Sequence, residues 1–190
     1  MHEHITPYTS PLSPRLCLIK ALRDVFMSQD ASSLKQAFDA LCPNILVSEE
    51  ALEADFNRFF IGPLTPVADL FASVYLDDPD LVMSESTLHV RSLYETMGFT
   101  FPLQNQIPDD HLGVELDAYF QLLYLEEVEN MDYLSELRHY FLHEHLNVWI
   151  PLFIKRVHAH SEDHSDAISF ILSQLTSFLI RETNTQGVTA

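Results

Sequence analysis

The sequence predicts an all-α protein, and three observations carry that expectation. Glycine occurs four times in 190 residues while Leu, Ala, Glu and Phe are abundant, a balance that favours helices over sheet-and-turn architectures. Apolar residues recur at helical spacing in about seven separate stretches, and Pro, Ser and Gly stand where those stretches should begin and end. The expected fold is a helical bundle of about seven to nine helices in two halves, joined by a hinge near residues 99–110. The expected organisation is a flexible arm over 1–13, an N-terminal half over 14–106, a C-terminal half over 107–182 and a frayed tail over 183–190.

The first helix starts at Pro14, a good first-turn residue, and carries Leu18, Ile19, Leu22, Val25 and Phe26 toward Met27. A short second helix holds Leu34, Ala37, Phe38 and Leu41 before Pro43 stops it. Ser48 caps a third, with Glu49 and Glu50 in its first turn and Leu52, Phe56, Phe59 and Phe60 on one face. Gly62-Pro63-Leu64-Thr65-Pro66 ends it and opens the chain's longest irregular region, through Tyr75 and the acidic Leu76-Asp77-Asp78-Pro79-Asp80. A loop of that length in a compact chain serves a function or covers something. Ser84 or Ser86 starts the next helix, with Val90, Leu93, Tyr94 and Met97 as its stripe and Gly98 past its end; Phe99 to Gln106 is a linker.

Pro108 forces a break, so a new helix starts at Pro108-Asp109-Asp110-His111. Asp109 or Asp110 suits its N-terminus as a cap, whereas capping does not explain His111. Leu112, Leu116, Tyr119, Phe120, Leu123 and Tyr124 then make the spine of the second half. A break at Glu126 to Asn130 leads into a helix with Leu134, Leu137, Tyr140, Phe141 and His145, paired antiparallel with the spine. Leu146, Trp149, Ile150 and Phe153 follow around Pro151, and after a turn at His158 to Asp166 the last stripe runs from Ile168 to Leu179.

The formal charge of −18, from 28 acidic and 10 basic residues, disfavours nucleic acid and anionic membrane surfaces; it suits a basic ligand or, as in many acidic proteins, serves solubility alone. Cys17 and Cys42 show no metal spacing and read as buried thiols of a reducing compartment. No apolar run reaches the roughly 20 residues of a membrane span, and the N-terminus lacks a secretory layout. A cytoplasmic protein without stable membrane insertion is expected.

Catalytic signatures are thin. The sequence has no GxSxG, P-loop, GxGxxG or HExxH pattern. His139 and His143 stand i, i+4 with Glu136 three before His139, and His158, His160 and His164 follow. That spacing can bring two imidazoles to one ion, but a closed site wants three or four ligands. No enzyme, metal or cofactor is therefore expected.

Four segments in order change the class of the reading: the Phe-rich end of the third helix into Gly62-Pro63, Ser73-Val74-Tyr75-Leu76-Asp77, Pro108-Asp109-Asp110-His111-Leu112-Gly113-Val114-Glu115-Leu116, and His145-Leu146-Asn147-Val148-Trp149-Ile150-Pro151-Leu152-Phe153. Together they resemble the TorD/DmsD/NarJ family of redox-enzyme maturation chaperones. The family's proline, any residue, Asp-His pattern is matched by Pro108, Asp110 and His111. The chain departs at Ile107, where an acid is frequent, and at Phe71-Ala72, where a tryptophan is frequent. The resemblance implies a cytoplasmic chaperone that binds the twin-arginine signal peptide and the apo-molybdoenzyme catalytic subunit, holding export until the cofactor is inserted.

The residues suit that ligand on their own terms. A basic and apolar peptide wants acids beside an aromatic groove. Asp110 can accept from a guanidinium, Asp77, Asp78 and Asp80 can steer, Phe71 and Tyr75 can line the apolar part, and His111 can orient Asp110 or meet the peptide backbone. The expected signal-peptide site is therefore Phe71, Tyr75, Pro108, Asp110 and His111. The competing readings are a small metal-dependent enzyme using the histidines between 139 and 164, and a structural helical adaptor; within the site, the rings could merely plug the core and the Asp-His pair merely start a helix. A monomer is expected, with a domain-swapped dimer as the alternative.

Overall fold

A computed structural model describes residues 11–77, 85–101, 106–160 and 165–185. Nine α-helices occur among them: α1 Pro14–Phe26, α2 Ala31–Ala40, α3 Glu49–Phe56, α4 Ser73–Leu76, α5 Glu85–Met97, α6 Leu112–Glu127, α7 Ser135–Phe141, α8 Asn147–His158 and α9 Asp166–Thr185. The described residues contain no β-strand, so the all-α expectation holds.

Local chemistry explains most boundaries. Ser13 caps α1 by accepting from the Leu16 amide, with Pro14 in the first turn; Asp30 and Ser33 form a reciprocal capping box at α2; Ser48 caps α3 through the Ala51 amide. Gly98 follows α5 with φ 64°, a left-handed conformation that glycine adopts without strain. α3 runs into a π-helical turn, Asn57–Ile61, and a second π-helical turn, Leu142–Leu146, joins α7 to α8. That second turn makes α7 and α8 a continuous rod, and Pro151 sits inside its α8 portion. α9 runs to Thr185, so 183–185, expected to fray, are helical.

α6 is the centre. Most of its surface is apolar, as suits a helix packed on several sides, and Leu112 to Leu116, Tyr119, Phe120, Leu122 and Leu123 are all buried. α1 packs along it, close enough that a Cβ on Gly113 would stand 2.6 Å from Met27 Cγ. α7 and the turn after it run antiparallel to α6, as Arg138 meets Glu126 and His145 meets Glu115. One apolar core draws on residues from Leu16 through Leu179, taking both expected halves.

One expectation fails outright. Cys17 and Cys42 are exposed rather than buried. Cys17 falls on the solvent side of α1, between Leu16 and Ile19, which both point inward; Cys42 lies beyond the end of α2 at φ 55°.

Candidate functional site

The joint before α6 is clasped by the segment before α4. Leu112 N–H donates to the Leu70 carbonyl (2.7 Å) and Ala72 N–H to the Asp110 carbonyl (3.0 Å), with an isolated antiparallel bridge between Phe71 and His111. Asp110 strengthens the clasp, because its Oδ2 accepts from the Ser73 amide at 2.9 Å, the first residue of α4. This carboxylate is 1 % exposed. Its Oδ1 is buried with no hydrogen-bond partner among the described residues.

Capping at α6 differs from the sequence reading, in which Asp109 or Asp110 took the role and His111 had none. His111 is the cap: Nδ1 accepts from Gly113 N–H at 3.1 Å. The two acids are drawn elsewhere, Asp110 to Ser73 and Asp109 to Arg91 Nε at 2.6 Å, while the Asp109 carbonyl accepts from the Tyr94 hydroxyl. Burial holds the His111 pKa down at about 4 against the pull of Asp110. The ring is therefore neutral at pH 7, and since Nδ1 accepts, its proton sits on Nε2.

The expected site residues divide into two groups. Phe71, Asp110 and His111 come together, with the Phe71 and His111 rings edge to face at 5.3 Å. Tyr75, one turn along, faces α8 instead: it stacks on Trp149 at 5.7 Å, meets Phe153 edge-on, and lies under the Arg156 guanidinium. Its hydroxyl donates to the Asp69 carbonyl, and burial pushes its pKa up. Pro108 is exposed at the turn, where its carbonyl accepts from His111 N–H. Of the steering acids, Asp77 accepts from the Ser86 amide and hydroxyl near the start of α5; Asp78 and Asp80 lie outside the described residues.

Beneath this clasp is a group that the sequence reading missed. Glu115, fully buried on α6, accepts from Trp149 Nε1 at 2.8 Å through Oε2 and pairs with His145 Nε2 at 2.7 Å through Oε1. Burial raises the Glu115 pKa. For His145 burial opposes the charge, but Glu115 outweighs it and the net shift is upward. The available signal was an acid with Leu112, Ala118, Tyr119 and Leu122 at helical spacing around it, since a carboxylate buried on an apolar face must have partners.

The histidines gather less than a metal site would need. His139 and His143 bring their rings to 4.2 Å, but no group of three or more metal-ligating side chains stands together among the described residues. His164 lies outside them. No described helix is long and apolar enough to cross a membrane.

Residues 27–155 match the family model described as nitrate reductase delta subunit. The chain belongs to that family. The Tat proofreading chaperone DmsD of Salmonella typhi is 36% identical over 69 residues, 36% of this chain and 34% of that protein. The chaperone protein TorD of Aliivibrio salmonicida is 29% identical over 108 residues, 54% of this chain and 49% of that protein. The matches thus span about a third to a half of the length of these curated relatives. A crystal structure of a candidate redox enzyme maturation protein from Archaeoglobus fulgidus superposes with a TM-score of 0.54 at 18% identity, covering 94% of this chain and 99% of that one. At that identity the likeness speaks to the fold alone. The TorD/DmsD/NarJ resemblance read from the four sequence segments agrees with the family match and with the names of these relatives.

Proposed function

We propose that the protein is a system-specific cytoplasmic chaperone, without turnover of its own, that binds the twin-arginine signal peptide and the apo form of a molybdoenzyme, assists cofactor insertion and delays export. The observation that carries this reading is Asp110 Oδ1. A buried carboxylate oxygen without a donor costs free energy, and a guanidinium supplies the charge-assisted donor that would recover it. Phe71 beside it and Tyr75 along the same segment are the apolar counterpart for the hydrophobic stretch of the peptide, and the Nε2–H of His111 is a donor for a peptide carbonyl. The family membership and the similarity to proteins named Tat proofreading chaperone and TorD support the same class.

At 1 % exposure Asp110 cannot meet a peptide while residues 70–77 keep their present position. The clasp must yield, and three backbone-directed hydrogen bonds hold its central part, from Leu112 to Leu70, Ala72 to Asp110 and Ser73 to Asp110. Calorimetric titration of the cognate signal peptide into wild type, Asp110→Asn and Asp110→Ala tests the reading. Asn keeps an oxygen for the Ser73 amide and removes the charge, exchanging the unpartnered Oδ1 for an unpartnered NH2 group, so it should melt close to wild type. It should bind about tenfold to a hundredfold more weakly, because a hydrogen bond to a charged group is worth roughly 1.5 to 3 kcal/mol. Ala removes the tie to Ser73 as well and should melt earlier. Wild-type affinity retained in Asp110→Asn would reduce Asp110 to a fastening of α4.

A further inference from the structure

A second surface has the opposite electrical character. α8 and α9 run side by side, tied at one end by Asn147 Nδ2 donating to Thr183 Oγ1 at 3.0 Å. Between them lies an open groove of about 580 Å³ whose apolar floor is Pro151, Ile154, Leu179 and Ile180. Ile180 is 56 % exposed. Among the described residues no carboxylate lines this groove, although the chain carries 28 acidic residues; Lys155 and His158 stand at its rim.

The lysines and arginines make the contrast sharper. Arg15, Lys20, Arg23, Lys35, Arg91 and Arg138 each pair with a carboxylate. Arg156 donates to the Val67 carbonyl, and Arg58 lies over the Phe59 ring. The Lys155 side chain, which lines the groove, has no hydrogen-bond or ion-pair partner among the described residues; Arg181 on α9 turns the other way, beside Glu127 and Glu182. The dipole at the C-terminal end of α8 accounts for a cation near Lys155. It does not account for a lining that, among the described residues, holds no acid in a chain this acidic.

We infer that the α8/α9 groove docks an acidic amphipathic helix of a partner protein. From Asn147 to His158 the groove offers about 16 Å of length, which takes about three turns of helix, and an apolar face seated between two antiparallel helices is an established mode of peptide recognition. The partner's carboxylates at the edge of that face meet Lys155. At physiological salt the Debye length is about 8 Å, so this near cation outweighs acids farther off than that. The same cation repels a basic peptide, which makes this surface separate from the Asp110 region and independent of the function proposed for it.

The test uses two synthetic helices with the same leucines at i, i+3, i+4 and i+7, one bordered by two glutamates and the other by two lysines, titrated by fluorescence anisotropy at physiological salt. The glutamate helix should bind at least tenfold tighter than the lysine helix. Lys155→Glu should invert that preference, and Ile180→Glu should abolish binding of both. Both positions are exposed, so melting curves should not move, and the twin-arginine titration should be unchanged in Ile180→Glu. Equal binding of the two helices, or glutamate-helix binding indifferent to Lys155→Glu, overturns the inference. So does concentration-dependent self-association in sedimentation that Ile180→Glu removes, because the groove would then belong to a second copy of the chain.

Discussion

Glu115 is the side chain whose loss should be felt most. Its carboxylate is the shared acceptor for His145 on the turn after α7 and Trp149 on α8, and all three side chains are buried. Glu115→Ala leaves the Trp149 N–H and a His145 nitrogen facing emptied space. Each unsatisfied group costs about 1 to 3 kcal/mol, and breaking a buried pair from one side costs about 3 to 5 kcal/mol. For a chain of this length that is a drop in Tm of about 6 to 20 °C. Glu115→Gln still accepts from Trp149 and can donate to a neutral His145, so its loss should be about 1 kcal/mol. Urea denaturation followed by far-ultraviolet circular dichroism measures both. The pH arm isolates the charge. The folded pKa of His145 lies above its ordinary 6.5, so its contribution is fully present below that value and is lost as pH rises through the raised one. Wild type should therefore lose stability above pH 6.5, by at most about 1.4 kcal/mol per unit, and Glu115→Gln should show a flatter slope. Glu115→Ala within 1 kcal/mol of wild type, or Gln as damaging as Ala, would refute the account of a buried pair holding α6 to α8.

Two further outcomes test the joint. Gly113→Ala places a Cβ 2.6 Å from Met27 Cγ and 3.1 Å from the Phe26 carbonyl carbon, so overpacking of about 1 to 3 kcal/mol should exceed the helix-propensity gain; in a double-mutant cycle by thermal melts, Met27→Ala should relieve part of that cost. His111→Asn keeps a capping acceptor and removes a group whose folded pKa is depressed to about 4, so it should match wild type at pH 7.5 and exceed it at pH 5, where the unfolded histidine is protonated and the folded one is not; denaturation at the two pH values measures the difference, expected on the order of 1 kcal/mol.

Helix boundaries were legible because they rest on local chemistry. Pro14, Ser48, Gly98 and Pro108 act within a few residues of themselves, and α1, α3, α5 and α6 begin or end where those residues direct. Partners distant in sequence were not legible. Asp110 is a competent cap when read along the chain, yet it turns away because Ser73, 37 residues earlier, offers an amide at 2.9 Å, and His111 takes the vacated role. Tyr75 and Phe71 are four residues apart and read as one aromatic lining, but the short helix between them sends one to Trp149 and the other to His111. The same limit hid Glu115, whose partners lie 30 and 34 residues on.

The clasp and the pair beneath it form one stack. Asp110 fastens the start of α4 to the joint; Tyr75 at the other side of α4 rests on Trp149; and Trp149 donates to Glu115, which lies one helical turn past Asp110 and pairs with His145. The negative charges of Asp110 and Glu115 are close enough that each raises the proton affinity of the groups around it, His145 included. A cationic ligand taking Asp110 Oδ1 would neutralise one of those charges, so the upward pull on His145 would weaken and its proton would be held less tightly. Proton release on binding of a twin-arginine peptide, seen as a buffer-dependent calorimetric enthalpy near pH 7, follows from that coupling. It should vanish in Asp110→Asn even where residual binding persists, and a binding enthalpy independent of buffer in wild type would show that the peptide does not reach Asp110.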